Sequence, residues 1–462
     1  MAPIPMLAAT FAALALAGFP LRAGLRRIGV PPAISLLALG LVAGPAVANL
    51  LPGAWLVARP SLSAAAFAVL LLRAGLGIAP ATLRAVAAPA LFLGLLPVAA
   101  EFGIATTLCH ELLFDRWATC LLGGFLVAAV SPAVVLPVML AHKDAGRGGR
   151  RFVPDLIMGQ TIVNAIVAPA GILFMIGFLA PAQGALAPAA RLVLWPAAIL
   201  AGAAIGAAAA GLLRVEKLAD LAREQHAQLA TLTVLLGALT LHFACRRVMW
   251  VDPVVATLAL GFFLRRRLGD RETTLRPELR RVWSVAEIVL FVNLGSAVPL
   301  RALASGHVVP AALLILGVAV TGRLLSAAVA TAATTLPAEE RRYVALAHLP
   351  KATIQAVFGP LPLLTFRALR PDLVPDGEAL VVLAALAIAT TAPAGALVLE
   401  RFVPRAWTGA PEVDEPRQPR EPVPVGTPEP SAPGAAAATR AASRTASRTT
   451  APGVRDRGPD QR

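Results

Sequence analysis

Charge is scarce in these 462 residues: 15% are Asp, Glu, Lys or Arg, while 57% are hydrophobic. A water-soluble domain of that composition could not cover its own surface, so a soluble globular fold is excluded. Cysteine is nearly absent as well. Cys109, Cys120 and Cys245 are too few and too irregularly spaced for a disulfide framework or a zinc site. Aromatic residues make up 5%, and tyrosine occurs once. The chain offers no nucleophile with its base, no phosphate-binding glycine loop and no metal motif, which argues against enzymatic chemistry and leaves no cofactor to expect. Acidic residues number 26 against 41 Lys and Arg, and the formal net charge of +15 would suit nucleic-acid binding in a soluble protein. In a membrane chain that excess belongs to short cytoplasmic loops instead, so no nucleic-acid partner is expected.

What the sequence has in quantity is apolar runs long enough, at about 20 residues each, to cross a hydrocarbon layer of about 30 Å. Thirteen recur, at roughly 4–21, 28–51, 61–79, 86–109, 117–142, 153–180, 189–213, 228–245, 250–265, 282–300, 307–335, 342–366 and 378–400. The expected fold is therefore an all-α polytopic membrane protein of about thirteen spanning helices. The first run has no Lys or Arg before it and no small-residue cleavage site after it, so it reads as a retained helix, not a signal. Alternate loops differ sharply in Lys and Arg, and the bias orients the N-terminus outside and the C-terminus in the cytoplasm. After Trp407 the composition turns to Pro, Ala, Ser, Thr and Arg, which predicts a disordered cytoplasmic tail over 408–462.

Two runs are interrupted by proline near their middles: Ser131-Pro132 to Pro137 in the fifth, and Leu349-Pro350-Lys351 to Gly359-Pro360 in the twelfth. Proline removes a backbone donor and frees carbonyls that hydrocarbon cannot solvate, so such breaks persist where they face protein or a wet cavity. Counted as six helices, a connector at 189–213 and six more, both broken helices are fifth in their half. That arrangement predicts inverted repeats over about 1–180 and 228–400 within a transmembrane domain of residues 1–407.

Ionisable groups at mid-bilayer cost roughly 2.5–3.5 kcal/mol each on insertion and tend to face a partner or a pathway. Five occur here: Arg73, Glu101, Glu287, Arg323 and Lys351. Arg73 and Glu287 lie closer to helix ends, where either could reach the interface. Glu101 and Arg323 occupy the fourth helix of each half, so pseudo-symmetry predicts a buried pair that satisfies both. Lys351 stands out because the chain uses 38 Arg and only 3 Lys. A desolvated lysine can give up its proton, and an arginine cannot. Lys351 could equally hold the carbonyls of its broken helix. His348, Lys351 and Gln355 fall at helical spacing, which predicts one shared face. Gln160, Thr161 and Asn164 in the sixth run form a polar stripe that suits either interhelical hydrogen bonding or, with Ser131, an ion site.

Gly124 to Pro137 and Leu349 to Ala356, supported by Leu70 to Leu76 and Leu290 to Gly295, resemble motifs of the sodium/hydrogen exchanger-type proteins in the monovalent cation:proton antiporter superfamily. The resemblance implies a homodimer of inverted-repeat subunits in the cell membrane that exchanges a monovalent cation for protons by alternating access. By position, Glu101 and Arg323 resemble that group's core ion pair and Lys351 its broken-helix lysine. One departure matters. Where the group carries Asn-Asp or Asp-Asp in the sixth helix, this chain has Asn164-Ala165, so the carrier carboxylate is missing. With Glu101 expected to be occupied by Arg323, the proton falls to Lys351 or Glu287. Two other readings stay open: a transport-inactive scaffold or sensor, and a transporter of an anionic or neutral solute.

Overall fold

A computed structural model describes residues 3–27, 32–78, 80–148, 151–180, 188–213, 227–248, 251–269 and 275–407. The expected tail, 408–462, lies outside the described residues. Among the described residues every regular element is helical. The first half runs α1 (Pro3–Arg27), α2 (Pro32–Ala43), α3 (Gly53–Gly77), α4 (Pro80–Leu112), α5 (Trp117–Ala128), α6 (Pro132–Asp144) and α7 (Val153–Leu179). The run expected as a connector is α8 (Pro188–Leu212). The second half is α9 (Ala227–Cys245), α10 (Pro253–Leu268), α11 (Leu275–Gly295), α12 (Leu300–Ala304), α13 (Val308–Ala332), α14 (Ala338–Leu346), α15 (Thr353–Phe358), α16 (Pro360–Leu369) and α17 (Val374–Arg401).

Each of the thirteen apolar runs has a helical counterpart, but nine spans among the described residues are long and apolar enough to cross a membrane on their own. The other four differ for physical reasons. α2 has only 12 residues and α10 only 16, while α11 opens on an arginine-rich turn. The twelfth run is divided among α14, α15 and α16. Proline placement explains several starts. Asp252 accepts hydrogen bonds from the backbone N–H groups of Val254 and Val255 at 2.8 and 3.0 Å, with Pro253 in the first turn where no donor is needed.

Two layers emerge from the packing. α2 packs on α11, α3 on α10, and α10 on α8; α4 packs on α5, α7 and α13, with α14 and α17 completing this second group. Exchanging the halves carries the α2–α11 contact onto α3–α10 and the α4–α13 contact onto itself, which is the pattern an internal two-fold axis produces. Glycine lets both related pairs come close. A Cβ on Gly75 would sit 2.2 Å from the Leu258 carbonyl oxygen, and one on Gly261 2.4 Å from that of Leu72. Gly295 has the same relation to the Leu37 carbonyl across α2–α11, at 2.0 Å. Because the obstacle is backbone, Gly75→Val is expected to destabilise by about 1–3 kcal/mol or more. Gly317, whose added Cβ meets nothing within 4 Å, should accept alanine without loss. The thermal midpoints of the two variants in detergent check this pair, and equal midpoints would contradict the close packing.

Candidate functional site

The interruptions of the two broken helices meet. α5 stops at Ala128 and α6 starts at Pro132; α14 stops at Leu346 and α15 starts at Thr353. The Ser131 backbone N–H donates to the Pro350 carbonyl at 2.8 Å, joining the two breaks directly. Ser131 Oγ lies 2.9 Å from Thr353 Oγ1 and accepts from the Thr353 N–H at 3.3 Å. Pro132 and Pro360 occupy first turns of α6 and α16, and Pro350 lies within the second break. Pro137 does not break its segment: it lies inside α6. One proline at position 132 was enough, because the helix simply restarts there with the missing donor where none is required.

A helix that ends in mid-membrane leaves carbonyls without partners. At the end of α5 they are taken by side chains from the second half. Gln355 Nε2 donates to the Leu126 and Ala129 carbonyls, both at 2.9 Å, and Arg323 Nη1 donates to the Ala128 carbonyl at 2.6 Å. The guanidinium therefore sits at the negative end of a half-helix dipole. Lys351 does not hold carbonyls. Its backbone N–H donates to Thr391 Oγ1 at 3.0 Å, and its ammonium reaches elsewhere.

That ammonium ends at Glu101. Arg323 Nη1 donates to Glu101 Oε2 at 2.6 Å, and Lys351 Nζ lies 2.7 Å from Glu101 Oε1. All three side chains are 0% exposed, so the buried centre contains one anion facing two cations. The two contacts differ in kind. Arg323 is a directed hydrogen bond, whereas the Lys351 ammonium is in ion-pair contact without hydrogen-bond alignment. Arg323 is further anchored by Asn164 Oδ1, which accepts from Nη2 at 2.7 Å, and by His348 Nδ1 at 3.0 Å from the same nitrogen. Since a guanidinium only donates, His348 must present a bare Nδ1 there, which puts the proton of a neutral ring on Nε2.

The sixth-run residues are mostly committed to structure. Asn164 Nδ2 donates to the Gln160 carbonyl at 2.7 Å and to that of Gly94 at 3.3 Å, so both ends of its amide are in use. Thr161 Oγ1 bonds back to the Ile157 carbonyl at 2.8 Å. Gln160 Nε2 reaches the Val344 carbonyl at 3.4 Å, but its Oε1 is buried without a donor, as is Gln355 Oε1. Ala165, beside Asn164, is 2% exposed and brings no polar atom.

Two further expectations do not survive. Glu287 is not part of this centre: its Oε2 pairs with Arg22 Nη1 of α1 at 3.4 Å, where α11 meets α1. Arg73 likewise lies apart, its guanidinium carbon 5.9 Å from the Trp283 ring. The shared helical face of His348, Lys351 and Gln355 does not exist either, because residues 347–352 are unwound. His348 and Lys351 reach the centre from that unwound segment, and Gln355 from α15. Thr353, Thr391 and Gly94 were missed. They contribute hydrogen bonds at the crossing or beside it, two to Ser131 in the case of Thr353, and no spacing rule singles out such residues.

Comparison with known proteins follows the same lines. The family profile described as the transmembrane part of sodium/hydrogen exchangers matches residues 11–403. Sodium/hydrogen exchanger 9B1 of Homo sapiens is 29% identical over 395 residues, which span 82% of this chain and 73% of that one. Sodium/hydrogen exchanger 9B2 of Mus musculus is 28% identical over 349 residues, 75% of this chain and 62% of its own length. Among solved structures, the sodium proton antiporter MjNhaP1 of Methanocaldococcus jannaschii at pH 8 superposes with a TM-score of 0.67 at 16% identity, covering 86% of this chain and 99% of that one. That likeness shows a common fold.

Proposed function

The chain belongs to the sodium/hydrogen exchanger family, and from that premise we propose that it is a monovalent cation (Na⁺ or K⁺):proton antiporter that works by alternating access, with Lys351 carrying the exchanged proton. The observation that carries the proposal is the division of Glu101. One oxygen is fixed by an arginine that cannot lose its proton, and the other faces a lysine that can. A cation and the Lys351 proton are then alternatives at Glu101 Oε1. With the ammonium present the oxygen is occupied; once the proton leaves, a dehydrated cation can take its place. The two states carry the same net charge, so the exchange is one for one. Gln160 Oε1 and Gln355 Oε1, both buried without a donor, are acceptors that could replace water around the cation. Glu101 thus supplies the negative charge that the family's sixth-helix carboxylate would have supplied beside Asn164.

The proposal includes a homodimer in the plasma membrane, with the N-terminus outside and 408–462 as a cytoplasmic tail. Family resemblance supports the dimer, and the loop charge bias supports the orientation. It also treats residues 1–407 as one transporter domain of two inverted repeats joined through α8.

In everted vesicles, adding Na⁺ or K⁺ is expected to dissipate an imposed proton gradient. Because protonated Lys351 blocks the cation, exchange should weaken as the pH falls. Vesicles that respond no better than those lacking the chain would overturn the reading. A second reading is favoured by the full use of the Asn164 amide and by the methyl group at Ala165: a transport-inactive member acting as a scaffold. On that reading the parent is silent, and Ala165→Asp creates exchange where none existed. On ours the parent is already active, and Ala165→Asp alters its apparent cation affinity.

A further inference from the structure

A further buried cation, outside the centre just described, has no carboxylate to pair with among the described residues. Arg59, on α3, is 7% exposed. Its hydrogen-bonding partner among the described residues is the neutral hydroxyl of Ser296, 3.3 Å from Nη1, and its Nε is buried with no acceptor. An unpaired guanidinium in a membrane protein is costly. Arg59 lines a cavity of about 330 Å³ between α3, α7, α9, α10 and the α15–α16 segment. The described lining contains no acidic side chain; its other ionisable groups are His242, Cys245 and the exposed Arg246. The remaining wall is largely apolar, including Phe67 and Phe358, which meet edge to face with centroids 5.7 Å apart. Glu101, Arg323 and Lys351 do not line it.

We propose that this cavity binds a medium-chain carboxylate, with the head on Arg59 and the tail along Phe67, Val254, Phe358, Leu361 and Leu364. Charge selects the head: a guanidinium without an anion, with the positive Arg246 in the same lining, attracts a carboxylate and repels a cation. Size selects the tail. At about 30 Å³ per water-sized group, the cavity holds roughly ten such groups, which suits a single short chain. Depth agrees: Arg59 lies about 9 Å along α3 from its start, within reach of the interface where such acids partition. The walls come from α3 and α10 on one side and the continuation of a broken helix on the other, so the ligand sits where movement between them would be felt. Its binding does not depend on the transport reading.

The test is equilibrium binding of radiolabelled decanoate to the full chain in phosphatidylcholine nanodiscs, with empty nanodiscs subtracted. Saturable binding is expected. Arg59→Gln should weaken it about tenfold or more, the value of a charge-assisted hydrogen bond, and Arg59→Lys should retain most of it. Leu364→Trp, which fills the cavity and leaves Arg59 in place, should also abolish it, and excess decanol or decyltrimethylammonium should compete poorly. No saturable binding above empty nanodiscs, undiminished binding by Arg59→Gln, or competition by decyltrimethylammonium equal to that by unlabelled decanoate would each overturn the assignment.

Discussion

Glu101→Gln is expected to cost the folded protein about 3–5 kcal/mol. The reason is a charge count. With Glu101 ionised, the fully buried centre holds one anion and two cations. Glutamine keeps the size and removes the anion, so Arg323 and Lys351 are left facing each other without water. Lys351 can respond by losing its proton, but Arg323 cannot. The guanidinium keeps the Ala128 carbonyl, Asn164 and His348 as partners, none of which is negatively charged. Thermal unfolding in detergent measures the loss. A change under about 1 kcal/mol, the scale of exposed pairs, would show that the centre is hydrated instead of buried.

Lys351→Met gives the opposite pattern, which is why the two variants belong together. The substitution nearly conserves volume and leaves Glu101 and Arg323 as a balanced pair, so stability should be unchanged or higher. Exchange should fall by about a hundredfold or more, the usual scale for removing a proton-transferring group. A stable protein with no exchange separates a role in transport from a role in folding. If Lys351→Met exchanged at the parental rate, Lys351 would be an anchor and nothing more.

Much of this architecture could be read from the sequence because hydrocarbon imposes strict rules. Apolar run length located the helices, and proline in two matched runs located the breaks. What failed did so for identifiable reasons. The helical face of His348, Lys351 and Gln355 assumed a period that does not apply where the backbone is unwound. Pro137 looked like a second breaker, yet it is accommodated inside α6. Glu287 could not be distinguished from a pathway residue until Arg22, 265 positions away, was seen beside it. Most consequential was the second oxygen of Glu101. The pairing with Arg323 followed from the positions of the fourth helices, but a carboxylate has two acceptors, and which group takes the other is a matter of three-dimensional geometry. It faces Lys351.

In the proposed antiport, a single exchange at Glu101, cation for proton, is made possible by Lys351. Proton release on cation binding measures it directly. Purified chain in weakly buffered detergent solution, titrated with NaCl or KCl against choline chloride, should release about one proton per cation bound. Lys351→Met should bind the cation and release none. Cation binding by the parent without proton release, or identical release from Lys351→Met, would contradict the account.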